Sequence, residues 1–152
     1  MTTNPLEHVE HVEHVEQIVQ FFETLTPASV ARLGEYYDPQ ARFTDPFNEV
    51  VGVPAITRIF EHMFVSLHQP RFVVRERVQH GAQCFLTWEF RFYFKGYKVG
   101  QEQVILGASH LVFSETGLIT VHRDYWDAAQ ELYEKLPVLG SLMRWLKKRA
   151  SR

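Results

Sequence analysis

The feature that most constrains the fold is a change in hydrophobic periodicity at Arg71. Before this residue, apolar side chains recur at helical spacing; after it they alternate with other residues, most clearly in WEFRFYF at 88–94. Alternation puts successive side chains on opposite faces of a strand, so one face can be buried. The second half of the chain therefore predicts an antiparallel sheet with one apolar face, divided by glycine-containing turns.

Three helices are predicted before the sheet. The first, from about residue 11 to 25, contains most of the repeat HVEHVEHVE (8–16), whose copies drift by about 60° around a helix and whose first copy can add one turn. Val12 and Val15 fall in its apolar stripe. A second helix is predicted from Thr26-Pro27 through Tyr37, since a capping hydroxyl precedes a proline. A third is predicted to start at Pro54 and to end before Pro70.

Together these elements give an α+β class, in which N-terminal helices cover one face of a curved sheet. With 152 residues, 45% of them hydrophobic, the chain can bury one sizeable core, so residues 1–152 are predicted to form one domain. Residues 1–10 are expected to be an extension that can be mobile, and residues 137–152 an added C-terminal helix.

Composition argues against several classes of function. The formal net charge of −2 gives no reason to expect a nucleic-acid partner. Cys84 is the only cysteine, so no intrachain disulfide can form, which favours a cytoplasmic location. No signal-peptide pattern is found, and no apolar run reaches the roughly 20 residues that a membrane-spanning helix requires.

The histidines of the HVE repeat invite a metal hypothesis. Histidines three residues apart on a helix can share a surface metal ion, but the sequence places no further ligand beside them. The repeat is therefore interpreted as the start of a helix, and no metal site is expected.

The segment 137–152 combines an apolar stripe with basic residues near its end. A basic amphipathic helix can lie on an anionic membrane or dock on a partner. The same basic residues also suit the negative end of the helix dipole without any partner. The second interpretation is favoured, with the stripe packed on the domain or on a second subunit.

Two stretches carry a family resemblance: ARFTDPFNEVVGVPAITRIFEHMF (41–64) and FSETGLITVHRDYWD (113–127). With the order of elements, they resemble the nuclear-transport-factor-like superfamily, in the branch of SnoaL-like cyclases, ketosteroid isomerases and limonene epoxide hydrolases. The resemblance implies a cone-shaped fold with one apolar pocket and a curved sheet that is antiparallel except at a mixed edge. It also implies a homodimer paired through the outer face of the sheet and chemistry without a cofactor.

The comparison with ketosteroid isomerases implies a general base at Asp45, in the aspartate-proline pair after the first strand. The tyrosine of those enzymes falls on Phe21, or on Phe22 after a one-residue slip, so the hydroxyl is missing. The second oxyanion donor falls on Ser109, and a slip to His110 would point to the other face of its strand.

The comparison with epoxide hydrolases implies that Asp124, in HRDYWD, matches one catalytic aspartate. The positions of their arginine and first aspartate fall on Trp88 and Phe90, and those of their tyrosine and asparagine on Phe43 and Asp45. One catalytic carboxylate is kept and the arginine is lost.

Strand alternation completes the expected pocket. His122, Asp124 and Trp126 share a strand face, which the resemblance places inside the cone. The expected catalytic residues are Asp45, Asp124 and His122. The expected ligand-binding residues line the same pocket: Phe21, Phe43, Trp88, Phe90, Phe92, Ser109 and Trp126.

Simpler roles compete with these. Asp45 can serve only to cap its turn, Asp124 can pair with a nearby arginine, and His122 can be an interior histidine with both nitrogens bonded.

Two functions are carried forward. The first is an isomerase, cyclase or hydrolase acting on a small apolar, oxygen-bearing molecule. The second is a non-catalytic module that binds a ligand or partner with the same pocket or the C-terminal helix. Catalysis requires Asp45 and Asp124 to face one cavity; an Asp45 occupied as a turn cap favours the binding module.

Overall fold

The structure of the chain, a computed structural model, describes residues 5–131 together with Trp145, Lys148 and Ala150. Side chains are described from residue 11 onward, except that of Ala129. The predicted C-terminal helix therefore falls almost entirely outside the described residues. None of the helices in the described part of the chain is long and apolar enough to cross a membrane.

Helices lead the chain and strands follow. Helix α1 (Pro5–Glu23) and a 3₁₀ helix (Ser29–Glu35) precede strands β1 (Tyr37–Thr44) and β2 (Glu49–Val51). Helix α2 (Val53–Ser66) leads into β3 (Leu67–His80), β4 (Gln83–Phe94), β5 (Gln103–Phe113) and β6 (Ile119–Tyr125). Helix α3 (Ala128–Glu131) ends the continuous described part.

The six strands form one sheet in the order β2-β1-β6-β5-β4-β3. Neighbours are antiparallel except β1 and β6, which are parallel. Helices α1 and α2 both contact β3, and their buried side chains, such as Ile18 and Phe60, join the apolar face of the sheet in one core. The predicted α+β class with a mixed sheet is confirmed.

The HVE repeat lies wholly within α1, which begins at Pro5 rather than at residue 11. The side chain of Val12, expected in the apolar stripe, is 44% exposed, whereas Val15 is 3% exposed. His14 Nε2 lies 2.6 Å from the carbonyl oxygen of Gly117, and its ring meets Phe113 edge-on. Of the copies whose side chains are described, it is the third that packs on the domain.

The side chains of the HVE repeat are described for its second and third copies, residues 11–16. Among the described residues, no group of three or more His, Cys, Asp or Glu side chains is arranged to hold a metal ion. Glu16, the last glutamate of the repeat, instead pairs with Arg77 at 2.5 Å.

The prediction of the second helix is wrong at its C-terminal end. The Thr26 cap is present, since Thr26 and Ser29 exchange backbone-to-side-chain hydrogen bonds of 2.8 and 3.1 Å. The helix nevertheless stops at Glu35, and Tyr37 begins β1 as a fully buried residue paired with Ile119. The proline at 39 is tolerated because the register of β1 and β6 shifts there.

Other element boundaries also shift. Pro70 lies within β3, which begins at Leu67 rather than at Arg71. Strand β5 begins at Gln103. Helix α3 is capped by Asp127, whose Oδ1 accepts a 3.0 Å hydrogen bond from the amide of Gln130.

We predict that His14→Ala lowers the free energy of unfolding by about 1–2 kcal/mol, because a partly buried hydrogen bond and a ring contact are lost. His11→Ala is the matched control: its exposed side chain belongs to an earlier copy, so the change should stay within about 0.5 kcal/mol. Urea denaturation of both variants measures the difference. Equal losses would contradict a specific role of the third copy.

We also predict that Cys84 is inert in the native protein. The thiol is fully buried, and burial raises its pKa to about 11, so little thiolate forms at neutral pH. A thiol-reactive dye at pH 8 should label the native protein only at the rate of unfolding, and at once in denaturant. Rapid labelling of the native protein would show that β4 opens locally.

Candidate functional site

Two adjoining spaces lie between α2 and the inward face of the sheet. The outer cavity has a volume of about 340 Å³, and Phe43, Asp45, Asp124 and Trp126 are among the residues that line it. A smaller inner chamber, about 40 Å³, lies beside it and is lined by Ser109 and His122 as well. The two spaces share four lining residues: Phe60, Phe72, Trp88 and Asp124.

Strand alternation puts the predicted side chains on this face. Trp88, Phe90 and Phe92 follow one another at every second position of β4 and all line the outer cavity. On β6, His122 and Asp124 also share the inward face. The face predicted from the sequence for β4 and β6 is therefore the inward one.

A chain of hydrogen bonds, called here the buried relay, joins residues from four strands. Trp88 Nε1 donates to Ser109 Oγ at 2.8 Å, and Ser109 Oγ donates to Asp124 Oδ1 at 2.5 Å. His122 Nε2 lies 2.7 Å from the same Oδ1, and Tyr37 Oη lies 2.5 Å from His122 Nδ1. The register of β5 and β6 makes this possible, because Ser109 and Asp124 are directly opposite each other.

The protonation pattern of the buried relay follows from Tyr37. Complete burial, and then the negative charge of Asp124, hold the pKa of the Tyr37 phenol well above its ordinary value. Its hydroxyl therefore keeps its proton and donates it to Nδ1 of His122. On the opposite side of the ring, Nε2 of His122 donates to the carboxylate of Asp124.

Asp124 is consequently the common acceptor of the relay. Among the described residues, both hydrogen bonds to its carboxylate go to Oδ1, from Ser109 and His122. Among these residues none bonds the second oxygen, and Asp124 also lines the outer cavity. No arginine binds this carboxylate within the described chain; its basic partner there is His122.

Asp45 lines the rim of the outer cavity, but its carboxylate is occupied by its own turn. Oδ1 accepts hydrogen bonds from the backbone amides of Phe47 at 2.7 Å and Asn48 at 2.6 Å. The side-chain amide of Asn48 lies 3.1 Å from both carboxylate oxygens. The sequence DPFN thus forms a capped turn between β1 and β2, and the carboxylate better placed to act as a base is Asp124.

The two phenylalanines near the end of α1 differ by a rotation of about 100° around the helix. Phe21, expected in the pocket, instead stacks on Tyr36 with ring centres 4.0 Å apart and lines neither space. Phe22 lines the inner chamber and meets His122 edge-on. The alignment slipped by one residue is therefore the better one, and the missing hydroxyl of this position is a property of Phe22.

Two residues near the site are not predicted from the sequence. Tyr37 is hidden because the sequence pattern predicts a helix there. Phe47 packs edge-on against Trp126 at the rim, with ring centres 5.4 Å apart. Gly107, which strand alternation places on the same face as Ser109, faces the ring of Trp88 so closely that any β-carbon there would overlap the indole.

The sequence matches the model of a known family. The family model of the SnoaL-like domain matches residues 18–122 of the chain. No curated protein matches it in sequence.

Solved structures share the fold at low identity. A protein from Jannaschia sp. CCS1, described as a SnoaL-like polyketide cyclase, is 16% identical, with a TM-score of 0.68 over 86% of this chain and 93% of its own. A Catenulispora acidiphila protein with a ketosteroid isomerase-like fold, in complex with trimethylamine, is 15% identical, with a TM-score of 0.66 over 79% of this chain and 89% of its own.

An epoxide hydrolase of the limonene epoxide hydrolase-like type from M. tuberculosis is 12% identical, with a TM-score of 0.64 over 79% of this chain and 86% of its own. At these identities the structural likeness establishes the fold alone. The family model covers most of the sequence, from residue 18 in α1 to His122 in β6. The chain therefore belongs to the SnoaL-like domain family.

Proposed function

We propose that the protein is an enzyme that binds a small, largely apolar, oxygen-bearing molecule in the outer cavity and transfers a proton with Asp124. The reaction type that fits best is isomerisation or cyclisation. The observation that supports it most is the buried relay, which holds a carboxylate with one oxygen available at the wall of an aromatic cavity.

The relay gives Asp124 what a general base needs. Ser109 and His122 both bond Oδ1 and hold the carboxyl group in one orientation, so the other oxygen has a fixed direction as well. In the proposed step, Asp124 takes a proton from the carbon next to a carbonyl group of the ligand. The C–H electron pair forms a carbon–carbon double bond, and the π pair of the carbonyl moves onto its oxygen. Asp124 then returns the proton to a different carbon.

A second candidate is a non-catalytic binding module. It is favoured by the occupied carboxylate of Asp45 and by the scarcity of donors for a developing oxyanion. Phe22 has no hydroxyl, and the Ser109 hydroxyl already donates to Asp124. Epoxide hydrolysis is less well supported, because Trp88 and Phe90 stand where the arginine and an aspartate would be needed.

Two further expectations stay proposals. A homodimer is expected from the family resemblance, and the exposed apolar side chains of Phe85, Leu106 and Tyr125 on the outer face of the sheet would suit such a contact. A cytoplasmic location is favoured by the buried free thiol of Cys84.

We predict that Asp124→Asn abolishes proton transfer while Asp45→Asn does not. Solvent deuterium incorporation into a panel of small cyclic ketones, followed by NMR, measures proton transfer directly and does not depend on which ketone is the natural substrate. Asp124→Asn should lower the exchange rate by about 100-fold or more, and Asp45→Asn by less than about 10-fold. Ketones that raise the melting temperature of the wild type without any exchange would favour the binding module; loss of exchange in Asp45→Asn alone would move the base to Asp45.

The raised pKa of Tyr37 predicts a specific loss of stability in alkali. The pKa of Tyr37 in the folded state lies above the unfolded value of about 10, so the phenol of the unfolded chain loses its proton first as the pH rises. Above that pH, the contribution of Tyr37 to the free energy of unfolding falls by roughly 1.4 kcal/mol per pH unit. Tyr37→Phe should therefore show a flatter stability profile than the wild type above pH 10. Denaturation midpoints across this range measure the slope.

Tyr125→Phe, which changes an exposed tyrosine of β6, is the matched control and should keep the wild-type slope. At neutral pH, Tyr37→Phe should also cost about 1–3 kcal/mol, because Nδ1 of His122 loses its donor. Parallel alkaline profiles for the wild type and Tyr37→Phe would contradict the protonation pattern derived for the relay.

A further inference from the structure

The described lining of the outer cavity is acidic. Among the described residues that line it, Asp45 and Asp124 are acidic, and none is a lysine or an arginine. The one histidine of its lining, His62, sits at the end of α2 with Nε2 3.0 Å from Ser66 Oγ. The groups that line this space therefore favour a positive charge.

Neither carboxylate is paired with a lysine or an arginine in the described chain. Asp124 is bonded by the Ser109 hydroxyl and by the imidazole of His122, and Asp45 by amides of its turn. Glu89 on the outer face of the sheet behaves differently, because it pairs with Arg75 and Arg91. These two arginines therefore pair with a carboxylate of the outer face and not with those of the cavity.

The walls beside the two carboxylates are aromatic. Phe47 follows Asp45 in the same turn and packs against Trp126, which lies two residues beyond Asp124. Deeper in, Phe90 lines the cavity and stacks on Phe72 with ring centres 4.7 Å apart. Aromatic faces attract organic cations through their quadrupoles, and do so more strongly where water is excluded.

A metal ion would be a poor occupant of this space. Hard cations require six or more oxygen ligands at short distance, whereas these two carboxylates are set among rings. Among the described residues no three-membered group of metal-binding side chains exists. An organic cation with apolar substituents matches both the charge and the walls.

We propose that the outer cavity selects ligands that carry a protonated or quaternary amine, so that its ligand is a small organic cation. This inference rests on the proposed function only in taking the outer cavity as the ligand site. The carboxylates contribute attraction at low dielectric, and the aromatic rings contribute apolar contact and cation–π attraction. An anion of the same shape would be repelled.

Three probes of nearly equal size and shape test the charge preference: choline, 3,3-dimethylbutan-1-ol and 3,3-dimethylbutanoate. Their binding to the whole 152-residue chain can be followed by calorimetry, supported by the fluorescence of Trp88 and Trp126. Choline should bind at least about 10-fold more tightly than the neutral alcohol, and the carboxylate should bind weakest. Equal or tighter binding of the alcohol, or no binding of choline, would overturn the proposal.

Aspartate variants show which residues cause the preference for choline over the alcohol. Asp124→Asn and Asp45→Asn should each reduce the choline preference about 5-fold or more and leave the affinity for the alcohol nearly unchanged. Glu102→Gln removes the same charge from a residue that pairs with Arg71 and Arg91 and does not line the cavity, so it should keep the preference. A preference that survives both aspartate variants would contradict the assignment.

The choline test can fail independently of the proposed function, because the proposed function is measured by deuterium exchange into ketones. Ketone exchange that depends on Asp124 without any choline preference would support the proposed proton transfer and contradict the proposed preference for organic cations. A choline preference without exchange in any variant would leave the cation site and favour the binding module.

Discussion

The hydrogen bonds to Asp124 connect most of the sheet. A carboxylate next to apolar walls is costly to bury unless donors replace the water it loses. Here the donors come from β5 and from β6 itself, and they are in turn bonded by Trp88 of β4 and Tyr37 of β1. Four strands must therefore be in register for one charge to be tolerated, and any slip of one residue would leave it unpaired.

The same arrangement explains why a cavity exists beside a dense core. The inward side chains of β4 are large and flat, and Trp88 can lie across the sheet only because Gly107 has no side chain. The indole then points its N–H at Ser109 and its ring at both the chamber and the cavity. One residue thus supplies a wall, a boundary and a hydrogen bond.

The fold class and the inward face of β4 and β6 could be predicted from the sequence because both depend on period-two alternation, which is a local property. Tyr37 could not, because the register shift near the proline at 39 interrupts alternation in β1. The role of Asp45 is open between base and cap in the sequence, and only the three-dimensional turn with Asn48 distinguishes them. The hydrogen bonds to Asp124 could not be predicted from the sequence either, because they depend on which residues of β5 and β6 face each other.

The parallel pairing of β1 with β6 bears on the order of folding. Tyr37 and His122 are 85 residues apart in the sequence, and the contact between them closes nearly the whole sheet. Contacts of such long range carry the largest loop-closure entropy and tend to form late. During synthesis, helices α1 and α2 and the β3–β4 hairpin are complete well before β6 leaves the ribosome. The chain would then acquire its binding site only as the final strand docks, so a truncated or stalled product holds the aromatic wall but not the ordered carboxylate.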